Sequence, residues 1–270
     1  MVVSPSLIED GAGFGTEAGR SADAAGALTV PKAADVLATH LRRQILDGHL
    51  VEGVPLPVER ELASQTGLSR GSVREALRML ELEGLVVTRP GRNGGTVVSR
   101  PDSTQVEHTL NVFIRGRRVR FEALLEVREG LEPVAAGLAA TNRTAEDLDV
   151  LTHLSSELAA SFDDLPSFLR HNVAWHVAVV QASHNELLHA FVVSLSRPIH
   201  DGTNVADFSS PGRREDTVTA HERVLRAIRD GHADSARRRM QRHVHAYRLA
   251  LVDRVVPIEL ALDHDDEEEA

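Results

Sequence analysis

Apolar positions recur at helical spacing from Lys32 onward. Ala33, Val36, Leu37, Leu41 and Ile45 give one buried stripe of a helix that stops at Gly48. A second, short helix is predicted from Val58 to about Gln65, with Leu62 and Ala63 inward, and Gly67 supplies a permissive backbone for a sharp turn. Ser69 is placed to cap a third helix, its hydroxyl accepting from an otherwise unpaired amide. Val73, Ala76, Leu77 and Leu80 form the stripe of that helix, and Arg70, Gly71, Arg74 and Arg78 share a sector of about 100° beside it. Leu85–Thr88 and Thr96–Ser99 read as two short strands around a loop with Gly91, Gly94 and Gly95. Helix, helix, tight turn, arginine-bearing helix and glycine-rich hairpin are the layout of a winged helix-turn-helix.

Beyond Pro101 the pattern is helical to about residue 255, with no convincing strand. Helices are predicted near 103–115, 121–140, 144–161, 166–183, 185–199, 213–230 and 232–254, separated by Gly116, Asn142, Asp163–Pro166, Ser183–Asn185 and the loop 200–212. The expected fold is mainly α: an N-terminal winged helix-turn-helix (31–100), then an all-α bundle of about six or seven helices (101–257). Residues 1–30 are rich in Gly, Ala and Ser without periodicity, and 258–270 form an acidic tail; both are expected to be disordered.

Composition changes this picture in two places. The net charge of −10 looks wrong for a nucleic-acid binder until it is located. The two ends hold nearly all of it, through Glu9, Asp10, Glu17 and Asp23 at one and Asp263, Asp265, Asp266, Glu267, Glu268 and Glu269 at the other. Residues 69–100 carry six arginines against Glu75, Glu81 and Glu83, so the local charge favours DNA. With no cysteine, disulfides and thiolate metal sites are excluded. No apolar run approaches the ~20 residues that cross a bilayer, and the N-terminus lacks a secretion signal. The expected location is the cytoplasm, associated with the nucleoid.

An arginine fork pairs with both acceptors on a guanine edge, worth ~1–3 kcal/mol of discrimination. Residues near the start of a recognition helix reach bases, so Arg70 and Arg74 are the candidate readers. Arg78 lies where a phosphate passes, Arg60 reaches from the preceding helix, and Ser69, Ser72 and the helix N-terminus suit phosphates. A lone surface arginine is ordinary solvated surface; this set, on this scaffold, is a DNA interface. The segment resembles the DNA-binding domain of GntR-family transcription regulators through LPVERELA, LSRGSVREALRMLELEGLV and the glycine-rich wing. The resemblance implies DNA contacts by Arg60, Arg70 and Arg74, and more loosely by the wing through Gly94.

In the helical region, polar residues fall on faces that should be buried. Arg128 lies within the stripe Phe121, Leu124, Leu125, Leu131, Ala135. Asn172 and His176 share a face with Leu169, Val173 and Val180. His221 falls among Val218, Leu225 and Ile228, and His243 is in register with Ala236, Met240, Tyr247 and Leu251. A buried charge or imidazole needs a partner. One such histidine is an ordinary core residue, and His171, His184, His189 and His245 are given no role. Four helices aiming polar groups inward fit convergence on a metal and an anion. Three imidazoles plus the oxygen of Asn172 suit zinc, nickel or another first-row divalent ion. A small carboxylate could then complete the site, its other end gripped by Arg128.

This region resembles the FCD ligand-binding domain of the FadR subfamily of GntR regulators. The resemblance implies a metal-lined cavity at Asn172, His176, His221 and His243, and a carboxylate-binding arginine at Arg128, within EVREGLE. Many metal-binding members have Asp at the place of Asn172, so this site brings one negative charge fewer to a cation. The resemblance further implies a regulator, not an enzyme: a homodimeric repressor on an inverted-repeat operator in double-stranded DNA, controlled by a small carboxylate effector. Two alternatives stay open: a metal-dependent hydrolase fused to a DNA-binding module, and a regulator whose metal is only structural. Against the hydrolase, no Glu or Asp stands at a spacing that offers a general base near His176 or His221.

Overall fold

The computed structural model describes residues 31–91, 95–203 and 210–252. Both expected tails, most of the C-terminal one's approach, and Gly94 lie outside them. Three helices come first, α1 (Ala33–Leu46), α2 (Glu59–Thr66) and α3 (Arg70–Leu82), then an antiparallel hairpin of β1 (Val86–Arg89) and β2 (Gly95–Val98). Val86 faces Val98 and Arg89 faces Gly95 across the hairpin. The segment before α2 adds a third, irregular edge: the Gly53 amide donates to the Val98 carbonyl and the Leu56 amide to Thr96.

The core of this domain joins Leu37, Leu41 and Ile45 to Leu62, Val73, Leu77, Leu80, Leu85 and Val98. One detail corrects the sequence reading. The stripe of α1 runs through Ala34, Leu37, Ala38, Leu41 and Ile45, while Ala33 is exposed and Val36 is 57% exposed. Two alanines on the inner face let α1 pack closely on α3, and that close approach outweighs the burial of one valine. The turn between α2 and α3 follows expectation, with Gly67 left-handed at φ 70° and the Ser69 hydroxyl accepting from the Ser72 amide at 3.1 Å.

Seven helices complete the described chain: α4 (Ser103–Arg117), α5 (Phe121–Asn142), α6 (Ala145–Ala160), α7 (Leu165–Gln181), α8 (Glu186–Thr203), α9 (Pro211–Arg229) and α10 (Ala233–Val252). Helices α5 and α10 lie along one another; α4 packs on α8, α6 on α7, and α9 on both α6 and α10. Their main core gathers Ala136, Ala139, Leu151, Trp175, Val179, Val224, Ile228, Met240 and Val244. Helix α8 runs past the expected stop at residue 199, continuing through Pro198. The two domains touch where the recognition helix ends. Gly84 has φ 71°, and a Cβ there would meet the Gln105 side chain at 2.6 Å. Gln105 in turn closes the capping box of α4 with Asp102.

Candidate DNA interface and metal centre

Burial of Val73, Ala76, Leu77 and Leu80 turns the opposite face of α3 to solvent, where Arg70, Arg74 and Arg78 are all exposed. Arg60 is exposed on α2. The structure adds a partner that sequence reading missed. The Arg74 Nε donates to Glu59 Oε1 at 2.9 Å and its Nη2 to Oε2 at 2.8 Å. The Arg74 hydrogen bonds hold the Glu59 carboxyl below the usual carboxylate range, with Arg70 and Arg78 adding to the pull. Fifteen residues separate the pair, so no helical spacing announces it. Glu59 fixes the direction of the Arg74 fork.

The second cluster lies inside the helical bundle. His176 on α7 is 3% exposed and His221 on α9 is 1% exposed; His243 on α10 is less enclosed. Their Nε2 atoms form a triangle: 3.2 Å from His176 to His221, 3.1 Å from His221 to His243 and 3.2 Å from His243 to His176. Trp175 locks this arrangement by stacking on His221, with ring centroids 3.8 Å apart, while its indole N–H donates to Ser155. The His176 and His243 rings are parallel, and the His221 ring stands nearly perpendicular to both.

Helix α5 supplies the other half. Arg128 is 4% exposed and Glu132, one turn on, is 2% exposed. The Arg128 Nε donates to Glu132 Oε1 at 2.7 Å, and Glu132 Oε2 lies 2.7 Å from His176 Nδ1, though without the alignment of a good hydrogen bond. Spacing offers no general base near His176, and it does not announce Glu132, the carboxylate that packing sets beside that ring. Glu132 is behind that imidazole, on the nitrogen facing away from the triangle. It therefore favours the Nδ1–H tautomer and leaves Nε2 as an acceptor. Arg128 also lies over the Tyr247 ring, 5.1 Å from its centroid.

Electrostatics sharpen the picture. Burial pushes the Glu132 carboxyl up, but Arg128 and His176 together overcome it and hold it at about 2. Burial, and then the other imidazoles and Arg128, drive His221 and His243 well below the usual histidine value; burial and Arg128 lower His176 against the pull of Glu132. All three imidazoles are neutral at pH 7, the form that binds metals. Burial raises the Tyr247 hydroxyl to about 12, so it remains protonated.

Several polar atoms in this region are buried with no hydrogen-bond partner: Asn172 Oδ1, His221 Nδ1 and the Tyr247 hydroxyl. Each such atom destabilises by ~1–3 kcal/mol unless something else satisfies it. The triangle itself poses the same problem, because three imidazole lone pairs cannot all find donors in one another. Ligands ~2.0–2.1 Å from a shared ion stand about 2.9–3.4 Å apart, depending on the angle between them. The observed spacings fall in that range, so the residues fit a divalent cation. A cavity of about 380 Å³ adjoins the triangle, lined by Asn172, His243 and Tyr247 among others. The structure thus brings Asn172, His176, His221 and His243 to one region, with Arg128 beside them. Arg128 itself lies behind Tyr247 and not on the cavity wall.

Residues 33–98 match the bacterial regulatory proteins of the gntR family, and residues 123–246 match the FCD domain. The chain belongs to the GntR family. It is 30% identical to the Glc operon transcriptional activator of Escherichia coli K12, over 81% of this chain and 89% of that protein. It is also 30% identical to the galactonate operon transcriptional repressor of the same strain, over 75% and 89%. The solved structure of Streptococcus agalactiae GntR aligns with a TM-score of 0.59 and 25% identity, covering 80% of this chain and 99% of that one. The regulator is therefore a DNA-binding transcription factor with an FCD domain, of a family of regulators and not enzymes. Among the described residues no helix is long and apolar enough to cross a membrane.

Proposed function

We propose that the regulator is a repressor whose hold on its operator is set by a small organic acid bound at a metal-containing site in the FCD domain. The observation that carries this reading is the triangle of neutral, buried imidazole nitrogens opening beside a cavity that contains unpaired polar atoms. His176, His221 and His243 would hold a divalent ion, zinc or nickel, with Asn172 offering its unpaired oxygen. The ion supplies a Lewis-acid centre for a carboxylate. Asn172 is neutral, so the acid also brings negative charge that the protein ligands lack. Arg128 lies behind Tyr247, off the cavity wall, so it becomes the cationic partner of that acid once the Tyr247 ring moves aside. Its Nε is held by Glu132, which leaves its two terminal nitrogens as the pair a carboxylate takes in bidentate fashion.

At the other end, Arg70 and Arg74 read base edges, Arg60 reaches the groove from the preceding helix, Ser69, Ser72 and Arg78 meet phosphates, and the wing through Gly94 approaches the minor groove or the phosphates. A homodimer would set two such helices on an inverted repeat. The contact of Gly84 with Gln105 joins the end of the recognition helix to the start of the bundle, a direct route for a change in α4 to reach α3. The test is binding of the zinc-loaded chain to inverted-repeat DNA selected from a random pool, at fixed salt, with a panel of small mono- and dicarboxylates. At least one acid is expected to weaken binding by ~5–150-fold, and His221→Ala with His243→Ala to remove that response. Constant affinity across the panel would contradict the proposal, and tighter binding would mean that the acid holds the chain on its operator instead of releasing it.

A further inference from the structure

The walls of the cavity carry a charge imbalance that the metal site does not explain. Arg213, Arg214 and Arg223 from α9, with Arg239 and Arg242 from α10, line it against one carboxylate, Asp216. None of the five makes an ion pair among the described residues. Arg214 is committed only to the face of Phe162, 5.0 Å away, and its Nε is buried without an acceptor. Arg239 donates to the Arg223 carbonyl. Three arginines elsewhere in the same bundle are ion-paired: Arg128 with Glu132, Arg248 with Glu129 and Arg120 with Glu122.

Like charges around a concave, low-dielectric wall focus a positive potential into the space they enclose. An anion bound there relieves their repulsion. A monocarboxylate taken up at the Asn172–His243–Tyr247 end would leave the arginines as unmatched as before. The volume of about 380 Å³ is at the small end of ligand pockets and suits a metabolite-sized molecule. We infer that the ligand is a compact polyanion: one carboxylate at the histidine end, and a second anionic group, carboxylate or phosphate, held by the arginines of α9 and α10. This rests on the cavity being the effector site proposed above.

The test compares three acids that share a 2-hydroxycarboxylate head of one configuration and differ at the next carbon: D-lactate, D-malate and 3-phospho-D-glycerate. Each is titrated calorimetrically into the zinc-loaded full chain at constant ionic strength. Malate or 3-phosphoglycerate is expected to bind about tenfold or more tightly than lactate, as one added charge-assisted contact provides. Which of the two gains more distinguishes a carboxylate from a phosphate partner. In the variant Arg223→Gln with Arg242→Gln, both exposed positions, that margin should shrink to less than about threefold while lactate binding is unchanged. Equal binding of all three acids, or a margin that survives in the variant, overturns the polyanion inference and leaves the carboxylate site standing. No binding by any of them overturns both.

Discussion

The two domains use charged side chains in opposite senses. In the DNA-binding domain the arginines of α3 stand outside an apolar core and leave it undisturbed. In the FCD domain Arg128, Glu132 and His176 are inside, and the core is built around them. An outward charge can be removed without harm to the fold and changes only what the surface binds. An inward charge is part of a balanced set, so removing one member leaves the others unsatisfied. Function is thus separable from stability in one domain and bound to it in the other.

The largest expected effect breaks that contrast most directly. Glu132→Gln leaves Arg128 buried beside an amide, and should destabilise the FCD domain by ~3–5 kcal/mol. It also frees the His176 imidazole and should weaken metal binding by about 10–100-fold. Arg70→Ala, a charge deletion on the outer face, should stay within about 0.5 kcal/mol of wild type. Chemical denaturation of both variants checks this; similar losses would erase the distinction between the domains.

Acidification comes next. The three imidazoles have folded values below the unfolded one of ~6.5, so the unfolded chain takes up protons that the folded site refuses. Their contribution is present above that value and lost as pH falls through it. In the chelator-treated chain each pH unit below about 6.5 should remove up to ~1.4 kcal/mol per imidazole that stays neutral. Glu132, held at about 2 against an ordinary 4.5, loses its contribution only between those values, at lower pH. Thermal melts between pH 7.5 and 5.5 (a range chosen to bracket ~6.5) should therefore lower the FCD transition; a transition insensitive to pH would show that the cluster is not buried as described.

The smallest effects concern DNA. Arg74→Ala should weaken specific binding by ~1–3 kcal/mol and non-specific binding by less. Glu59→Gln removes the carboxylate that aims Arg74 and also a negative charge facing phosphates. It should raise non-specific affinity a fewfold (roughly the effect of one added phosphate contact) and lower the ratio of specific to non-specific binding. An unchanged ratio would make Glu59 a bystander on the DNA face.

What the sequence made legible follows the same division. The recognition helix, its serine cap and its glycine turn are local features, set by spacing over a few residues, and they stand where the pattern puts them. Asn172, His176, His221 and His243 were visible because each interrupts an apolar stripe on its own helix. Glu132 was not, because it is one of three glutamates within EVREGLE, and only packing decides which turns inward. Glu129, three residues before it, instead pairs with Arg248 and His245 on α10. Val36 misled because hydropathy ranks it above Ala34 and Ala38, whereas close helix contact favours the small residues. The arginines of α9 and α10 give no signal in the sequence, because only the packing of two helices sets them around one cavity. Trp175 gave one signal, its place beside His176, but its role as the stacking partner of His221 spans two helices.

The central claim is that the imidazole triangle holds a divalent ion, and elemental analysis of the full chain tests it most directly. Protein prepared without chelators and dialysed in metal-replete buffer should carry one zinc or nickel ion per chain, and His221→Ala with His243→Ala should carry none while keeping its helical content. A wild-type chain without a stoichiometric ion, or a double variant that keeps its ion, would contradict the account.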